Sequence, residues 1–240
     1  MIYVMSDLHG CYKEYMKMLE LINFSDNDIL YILGDICDRG DSPIKILLHM
    51  MKHDNIIPIW GNHDISAYTV LSKIANHTKE VIEDNDYAQT LLNHDVYKEF
   101  LYWITDGGIK TLKEFDKLSS FEKEMIIYYM SDFRNYIKLN LNGEEYILLH
   151  GGLKDFNPDK DIDSYRLLDI VWEKPDYNKV YFHNKVIVSG HTPTVVIDSA
   201  KAGLIIKKNN HIAIDCGCVY GYSLGCLCLD DDKEYYIKKD

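Results

Sequence analysis

The chain of 240 residues has only three arginines and no run of lysine and arginine long enough to follow a nucleic-acid backbone. Its 26 basic and 38 acidic residues give a formal charge of −12. Nucleic-acid binding depends largely on cations that displace counterions from phosphates, so this composition argues against a nucleic-acid partner. Carboxylates gathered in one site need bound cations, and we therefore expect the metal-free protein to be less stable.

Long apolar runs are also missing. No stretch approaches the roughly 20 residues that a membrane span needs, and the chain does not start with a cationic segment, an apolar core and a cleavage site. We expect a soluble, cytoplasmic protein without a membrane partner. The six cysteines lack the two-residue gap typical of zinc sites, as Cys216-Gly217-Cys218 and Cys226-Leu227-Cys228 show. We interpret them as buried thiols.

Five short polar clusters each follow an apolar stretch of strand type. In order they are Asp7-Leu8-His9-Gly10, Gly34-Asp35-Ile36-Cys37-Asp38-Arg39-Gly40, Gly61-Asn62-His63-Asp64, His150-Gly151-Gly152 and Gly190-His191-Thr192. Because α/β sheets assemble their sites at the carboxyl ends of strands, we expect the clusters to lie together. Carboxylates and imidazoles suit a pair of divalent ions, which would polarise a phosphoryl oxygen and supply a hydroxide nucleophile. The pattern predicts hydrolysis.

The spacing of apolar residues predicts the architecture around these clusters. Strands alternate with amphipathic helices up to residue 64, which favours parallel neighbours. Residues 65 to 145 carry mainly helical spacing and none of the clusters, so we expect a helical cap inserted there. Asn142-Gly143 predicts a tight hairpin, and further hairpins are expected around Asn209-Asn210 and Asp230-Asp231-Asp232. The strand-rich end of the chain predicts a second sheet. The expected fold is a single α/β domain over 1–240, a central β-sandwich flanked by helices.

Taken together, the five clusters resemble the phosphoprotein phosphatase family of metallophosphoesterases. Asp64, the segment from Trp103 to Thr111 and the segment from Ile214 to Gly221 resemble its bacterial and phage-like branch. The resemblance implies two divalent ions, with manganese preferred and iron or zinc as alternatives. The implied ligands of the first ion are Asp7, His9 and Asp35, and those of the second are Asp35, Asn62, His150 and His191.

The resemblance also implies the residues that act on the phosphate. His63 would be the general acid, oriented by Asp38, because an imidazole titrates near neutral pH. Arg39 would bind two phosphoryl oxygens through its planar guanidinium, and Asn62 would also contact the substrate. The family adds a second phosphate-binding arginine, for which Arg166 and Lys174 are both candidates.

The function implied is metal-dependent hydrolysis of phosphomonoesters, on phosphoproteins or small molecules. The nearest alternative is a relative that splits diadenosine polyphosphates, with the same metals and Arg39. Residues 65 to 145 show no basic cluster suited to a polyphosphate, which favours phosphomonoesters. A more distant alternative is an inactive binding module, although such proteins typically lose a ligand or the acid.

Overall fold

The computed structural model describes the backbone of residues 1–240 and every side chain except that of Asn85. The strands are β1 (Ile2–Met5), β2 (Ile29–Ile32), β3 (Ile56–Pro58), β4 (Ile137–Leu141), β5 (Glu144–Leu149), β6 (Lys185–Ser189), β7 (Ile206–Lys208), β8 (His211–Ala213), β9 (Ser223–Cys228) and β10 (Glu234–Lys238). The α-helices are α1 (Tyr12–Leu21), α2 (Pro43–Met50), α3 (Asn62–Ile74), α4 (Thr78–Glu83), α5 (Asn85–Leu91), α6 (His94–Trp103), α7 (Ile109–Asp116), α8 (Ser120–Ser131), α9 (Leu167–Val171) and α10 (Thr194–Ile197).

Over the described residues the strands form two five-stranded sheets, ordered β10-β9-β1-β2-β3 and β4-β5-β6-β8-β7. Within the first sheet β1, β2 and β3 are parallel. Within the second, β5, β6 and β8 are parallel. The parallel neighbours predicted from the alternation of strands and helices are therefore confirmed. Their carboxyl ends carry all five polar clusters.

The main core between the sheets comes from alternate residues of the central strands. Val4, Leu148, Val188 and Ile212 belong to one buried cluster that both sheets share. The opposite face of the first sheet packs against helices, and that of the second packs against α9 and its flanking loops. Because successive side chains of a strand point to opposite faces, each sheet has two buried faces. The expected β-sandwich flanked by helices is confirmed.

The hairpin predicted at Asn142-Gly143 is present. Both residues have positive φ, 54° and 83°, which is the requirement of a type I′ turn. The turn pairs Leu141 with Glu144 and so determines the register of β5. His150 directly follows the end of this strand. Hairpins also form at the other two predicted positions, between β7 and β8 and between β9 and β10.

Helices α3 to α8 occupy most of the segment in which we expect a cap. They bury Phe100, Trp103 and Phe115 against the core that α1 and α2 share with the first sheet. A kink with non-helical backbone angles at Asp106 and Gly107 connects α6 to α7 beside the polar clusters. An inserted cap over about 65–145 in a single domain stays a prediction, and β4 within that range belongs to the second sheet. Among the described residues no helix is both long and apolar enough to cross a membrane.

Candidate metal centre and substrate cavity

The loops at the strand ends have unusual backbone conformations at the residues that matter most. Positive φ values of 52°, 38°, 53°, 73°, 64° and 64° occur at Asp7, His9, Asp35, Asp38, Arg39 and His191. Residues other than glycine rarely adopt this region, and such strain concentrates at functional sites. The strand-end loops thus aim these side chains inward, held by the surrounding packing.

Two glycines allow the loops to touch. A Cβ atom on Gly61 would lie 2.2 Å from the backbone nitrogen of Asp35, and one on Gly190 would lie 2.1 Å from Oδ2 of Asp7. Any larger residue at either position would push two strand ends apart. Asp64 adds a further connection, because its carboxylate accepts hydrogen bonds from the backbone N–H groups of Ile36 and Cys37. We therefore assign Asp64 a structural role.

Two groups of ligand atoms meet at Asp35. One combines His9, Asp35 and His63, and the other combines Asp35, His150 and His191, with ligand atoms within 4.8 Å of one another in each group. A carboxylate shared by two such groups can bind a different cation with each oxygen. The shared position of Asp35 is what the sequence led us to expect. The first group differs from the expected set because it contains His63 and not Asp7.

The imidazoles are oriented for metal binding. His9 and His150 donate their Nδ1–H groups to the backbone carbonyls of Cys37 and Leu33, at 2.8 and 2.6 Å. Each Nε2 lies 3.4 Å from an oxygen of Asp35. Metal-binding histidines characteristically donate their other N–H group in this way. Within the described residues, the buried Nε2 of His191 has no hydrogen-bond partner.

A contact between Asn62 and His150 also requires a cation. Oδ1 of Asn62 lies 3.0 Å from Nε2 of His150, and two lone pairs would repel there unless a proton or a metal lay between them. Burial alone would lower the pKa of His150, but Asp35 raises it to about 10. The site therefore stabilises positive charge at this nitrogen. The donor set and its geometry fit divalent metal ions.

Asp7 lies next to these groups. It accepts hydrogen bonds from the Ser6 hydroxyl and from the backbone N–H of His191. Burial, together with the charge of Asp35, raises its pKa to about 7, against the opposing effect of His150. A bound cation would remove this penalty. Burial also raises the pKa of the neighbouring Asp215 far above its usual value, although Asp215 was noticed only within the segment from Ile214 to Gly221.

His63 and Asp38 form the expected pair. Nδ1 of His63 donates to Oδ2 of Asp38 at 2.8 Å. Burial lowers the pKa of His63, but the carboxylates of Asp35 and Asp38 outweigh it and raise the pKa above its usual value. The pair therefore favours the protonated imidazole, which is the form that a general acid needs. Asp38 also accepts hydrogen bonds from Trp103 and Thr111.

Arg39 points into the same space with its guanidinium held on both sides. One amino group donates to the Tyr220 hydroxyl at 2.6 Å, and the other lies 3.2 Å from Oδ1 of Asp106. The second carboxylate oxygen of Asp106 lies 3.4 Å from Nε2 of His63. An incoming phosphoryl group would take the place of Asp106 beside both Arg39 and His63. Asp106 was not singled out from the sequence.

These side chains border an open cavity of about 630 Å³. Its lining combines four aromatic rings, an apolar wall and the polar groups described above. The lining residues are Asp35, Arg39, Asn62, His63, Tyr102, Asp106, Trp172, Lys174, His191, Pro193, Val195, Val196, Tyr220 and Tyr222. Most of the expected site residues are thus brought together around one space.

The two candidates for a second phosphate-binding cation lie in different places. Lys174 lines the cavity. Burial lowers the pKa of His191 to about 3, and the charges of His150 and Lys174 contribute to this shift. Arg166 lies outside the cavity, is 80% exposed and pairs with Asp169 at 2.7 Å. The geometry favours Lys174 of the two.

The fold and the clusters around Asp35 define a metal-dependent phosphoesterase, and comparison with known proteins gives the family. Residues 1–221 match the calcineurin-like phosphoesterases, and the chain belongs to this family. Enzymes of this family hydrolyse phosphate esters with divalent metal ions, and the groups around Asp35 offer ligands for such ions.

Among curated proteins, the chain is 36% identical over 105 residues to a symmetrical bis(5′-nucleosyl)-tetraphosphatase of Wigglesworthia glossinidia brevipalpis. This match covers 42% of the chain and 36% of the relative, so the chain aligns with little more than a third of that protein. A relative with the same activity in its name, from Proteus mirabilis, is 30% identical over 48% of the chain and 41% of its own length.

Among solved structures, a candidate diadenosine tetraphosphatase is similar over the whole chain and 93% of its own length, with a TM-score of 0.64 and 16% identity. A protein serine/threonine phosphatase from Saccharomyces cerevisiae has a TM-score of 0.59 at 12% identity, over the whole chain and 80% of its own length. These similarities establish the fold. The curated relatives favour the dinucleotide alternative over the phosphomonoesterase that we expected from the sequence.

Proposed function

We propose that the protein hydrolyses dinucleoside polyphosphates, with bis(5′-nucleosyl) tetraphosphates as the substrate class. The observation that carries the proposal is the aromatic border of the cavity. Tyr102, Trp172, Tyr220 and Tyr222 lie beside the phosphate-binding groups and are 47%, 41%, 53% and 38% exposed. Nucleobases stack on exposed aromatic rings, and a dinucleoside polyphosphate brings two bases to this border. The names of the curated relatives support the same substrate.

Two divalent ions are part of the proposal. We assign them to the expected ligands, which are Asp7, His9, Asp35, Asn62, His150 and His191. Bound there, the ions would neutralise phosphate charge and lower the pKa of a water molecule. Manganese remains the proposed metal, with iron or zinc as alternatives. The bacterial and phage-like branch, one domain with a helical cap, and a cytoplasmic location likewise remain proposals.

The protein's own residues orient the phosphate and move the proton. The guanidinium of Arg39 leaves Asp106 and binds two oxygens of the phosphoryl group under attack. Lys174 neutralises charge on an adjacent phosphate. Water adds to one of the two central phosphorus atoms and loses a proton to solvent, and the bond from that atom to the oxygen shared by the two central phosphorus atoms breaks. His63, held by Asp38, gives its proton to the bridging oxygen as it departs. Symmetrical cleavage of diadenosine tetraphosphate then yields two molecules of ADP.

Phosphomonoester hydrolysis is the second candidate. Among the described lining residues, Arg39 and Lys174 are the cations, and Asp106 adds a negative charge. The low net positive charge of this lining suits one phosphate better than four. The same metal ligands and the same His63–Asp38 pair would serve both reactions.

Initial rates would separate the two candidates. Purified protein with manganese is given diadenosine tetraphosphate, para-nitrophenyl phosphate and a phosphothreonine peptide, and products are separated by chromatography. We expect ADP from the dinucleotide with a kcat/KM well above those of the monoesters. Release of phosphate from the monoesters alone would reject the proposal in favour of the second candidate. Without turnover of any substrate by metal-loaded protein, only a binding module would remain.

Substitutions on the cavity border test the role of the aromatic rings. Trp172→Ala and Tyr102→Ala should raise KM for diadenosine tetraphosphate about tenfold, since stacking of one base contributes roughly 1–3 kcal/mol. The rate on glycerol phosphate, a phosphomonoester without an aromatic ring, should stay unchanged. Tyr128→Ala is the matched control, because Tyr128 is 75% exposed and lies on α8 outside the cavity. Equal losses on both substrates would argue against base stacking.

A further inference from the structure

A second group of metal-ligating side chains lies outside the candidate metal centre. Cys11, Glu14 and Cys218 place two sulfurs and a carboxylate oxygen within 4.8 Å of one another. The three residues are 2%, 1% and 2% exposed. We propose that they form a binding site for a thiophilic divalent cation of the zinc type, separate from the ions that serve hydrolysis.

The fold creates this group from distant parts of the chain. Cys11 directly precedes α1 and Glu14 lies in its first turn, so their spacing of three puts both side chains on one helix face. Cys218 comes from a single 3-10 turn, Cys218–Tyr220, near the end of the chain. Cys216 packs in the core between the sheets. The Cys216-Gly217-Cys218 pair is therefore split, and Cys218 meets Cys11 instead.

Glu14 supplies the observation that points to a ligand. Its Oε1 is buried and, within the part of the chain described, has no hydrogen-bond partner. Its Oε2 forms an ion pair with Nζ of Lys239 at 3.0 Å. A buried carboxylate oxygen without a partner is costly, and a cation between it and the two sulfurs would remove that cost. The side chain of Lys239 is 30% exposed, which opens a route to solvent.

The ligand chemistry fits zinc. Zinc binds sulfur at about 2.3 Å and carboxylate oxygen at about 2.0–2.2 Å in tetrahedral geometry, so neighbouring ligands lie about 3.5–3.8 Å apart. Small movements within the 4.8 Å group would reach this separation. Binding releases the thiol protons to solvent, and a water molecule completes the coordination. The ion would join the loop after β1 to the turn that carries Tyr220, which contacts Arg39.

Cobalt provides a probe that distinguishes this site from the hydrolytic centre. The ligands proposed for that centre are carboxylates, imidazoles and an amide, whereas Cys11 and Cys218 would give a thiolate-to-cobalt charge-transfer absorption in the near ultraviolet. We expect the full chain, reduced and titrated with Co²⁺, to show this band, and zinc to abolish it. Cys218→Ala should remove the band. Cys226→Ala, at a buried cysteine of β9 outside the group, should keep it.

Two further variants change the site while keeping both thiols, so that a loss of folding cannot account for all the results. Glu14→Gln, which retains both thiols, should weaken cobalt binding by more than about tenfold, the usual order for disturbed metal sites. Lys239→Met should tighten it, because the ammonium competes with the metal for Glu14. Absence of the band in reduced wild-type protein, or its survival in Cys218→Ala, would overturn the proposal. None of these readouts depends on hydrolysis, so they stand apart from the proposed function.

Discussion

Trp103 holds Asp38. Its indole nitrogen lies 2.9 Å from both oxygens of the Asp38 carboxylate, and the same carboxylate accepts a hydrogen bond from Nδ1 of His63. The last residue of α6 thus supports the acid pair of the site. Thr111 on α7 donates to Asp38 at 2.6 Å and completes the arrangement. Helices α6 and α7 therefore take part in positioning the catalytic groups.

Trp103→Phe should lower kcat about tenfold with little change in KM. The substitution keeps an aromatic ring but removes a hydrogen bond to a charged group, worth roughly 1.5–3 kcal/mol. Steady-state kinetics would measure the effect, with Trp60→Phe as the matched control. Trp60 is also buried, and it packs on Tyr68 and Phe133. An unchanged kcat would show that Asp38 needs no support from α6.

Arg39→Lys should lower kcat/KM about ten- to a hundredfold. Lysine keeps the charge but loses the planar fork that binds two phosphoryl oxygens, a loss of roughly 1.5–3 kcal/mol. The same substitution at Arg134, which is exposed and outside the cavity, should have no effect. If Arg39→Lys retained full activity, a point charge would be sufficient at this position.

Lys174→Ala and Arg166→Ala should differ in their effect on substrate binding. Lys174 lines the cavity, so its loss should raise KM for a polyphosphate several-fold with kcat nearly unchanged. Arg166 pairs with Asp169 at the surface, and its loss should leave both constants as they are. Measured KM values for the two variants decide the matter, and the opposite ranking would assign the second phosphate contact to Arg166.

Chelation should destabilise the protein. Asp7, Asp35 and Asp215 are buried near one another, and burial with mutual repulsion raises the pKa of Asp7 and of Asp215. A metal present at a hundred times its dissociation constant stabilises a fold by about 2.7 kcal/mol. Tm should therefore fall with chelator and recover with manganese. Asp35→Asn should show a smaller response, and an equal response in that variant would remove Asp35 from the metal site.

His211 should make the fold sensitive to acid. Burial lowers its pKa to about 3, and its Nε2 lies 2.7 Å from the Ser189 hydroxyl. Unfolded histidine binds a proton below about pH 6.5, so this contribution to stability is complete above that pH. As pH falls from 6.5 towards 3, the contribution is lost, at most at about 1.4 kcal/mol per unit.

Urea unfolding at pH 7 and pH 5 would test this expectation. His211→Gln keeps a polar partner for Ser189 but cannot take up the proton, so it should lose less stability than the wild type between the two values. His94→Gln, at an exposed histidine of α6, should follow the wild type. Parallel losses in all three proteins would show that His211 does not titrate with unfolding.

Much of the metal centre could be predicted because its residues follow strands directly. The position after a buried strand determines where a side chain lies once the sheet forms, and the five clusters therefore meet at Asp35. Trp103 and Thr111 were noticed only as a resemblance, and their contact with Asp38 needed the packing of α6 and α7. Asp106, Asp215 and Tyr220 lie in the same two resembling segments, and their places at the site likewise needed the packing of distant parts of the chain.

The sequence by itself determined the alternation of strands and helices up to residue 64, the hairpin at Asn142-Gly143 and the candidate metal ligands. These features depend on residue periodicity, turn conformation and donor chemistry, which act over a few residues. Only the tertiary structure decided that Lys174 lies at the cavity and Arg166 away from it, that aromatic rings border the site, and that Cys218 meets Cys11. Those relationships depend on how distant segments pack, because the direction of an exposed side chain is determined by its neighbours in space.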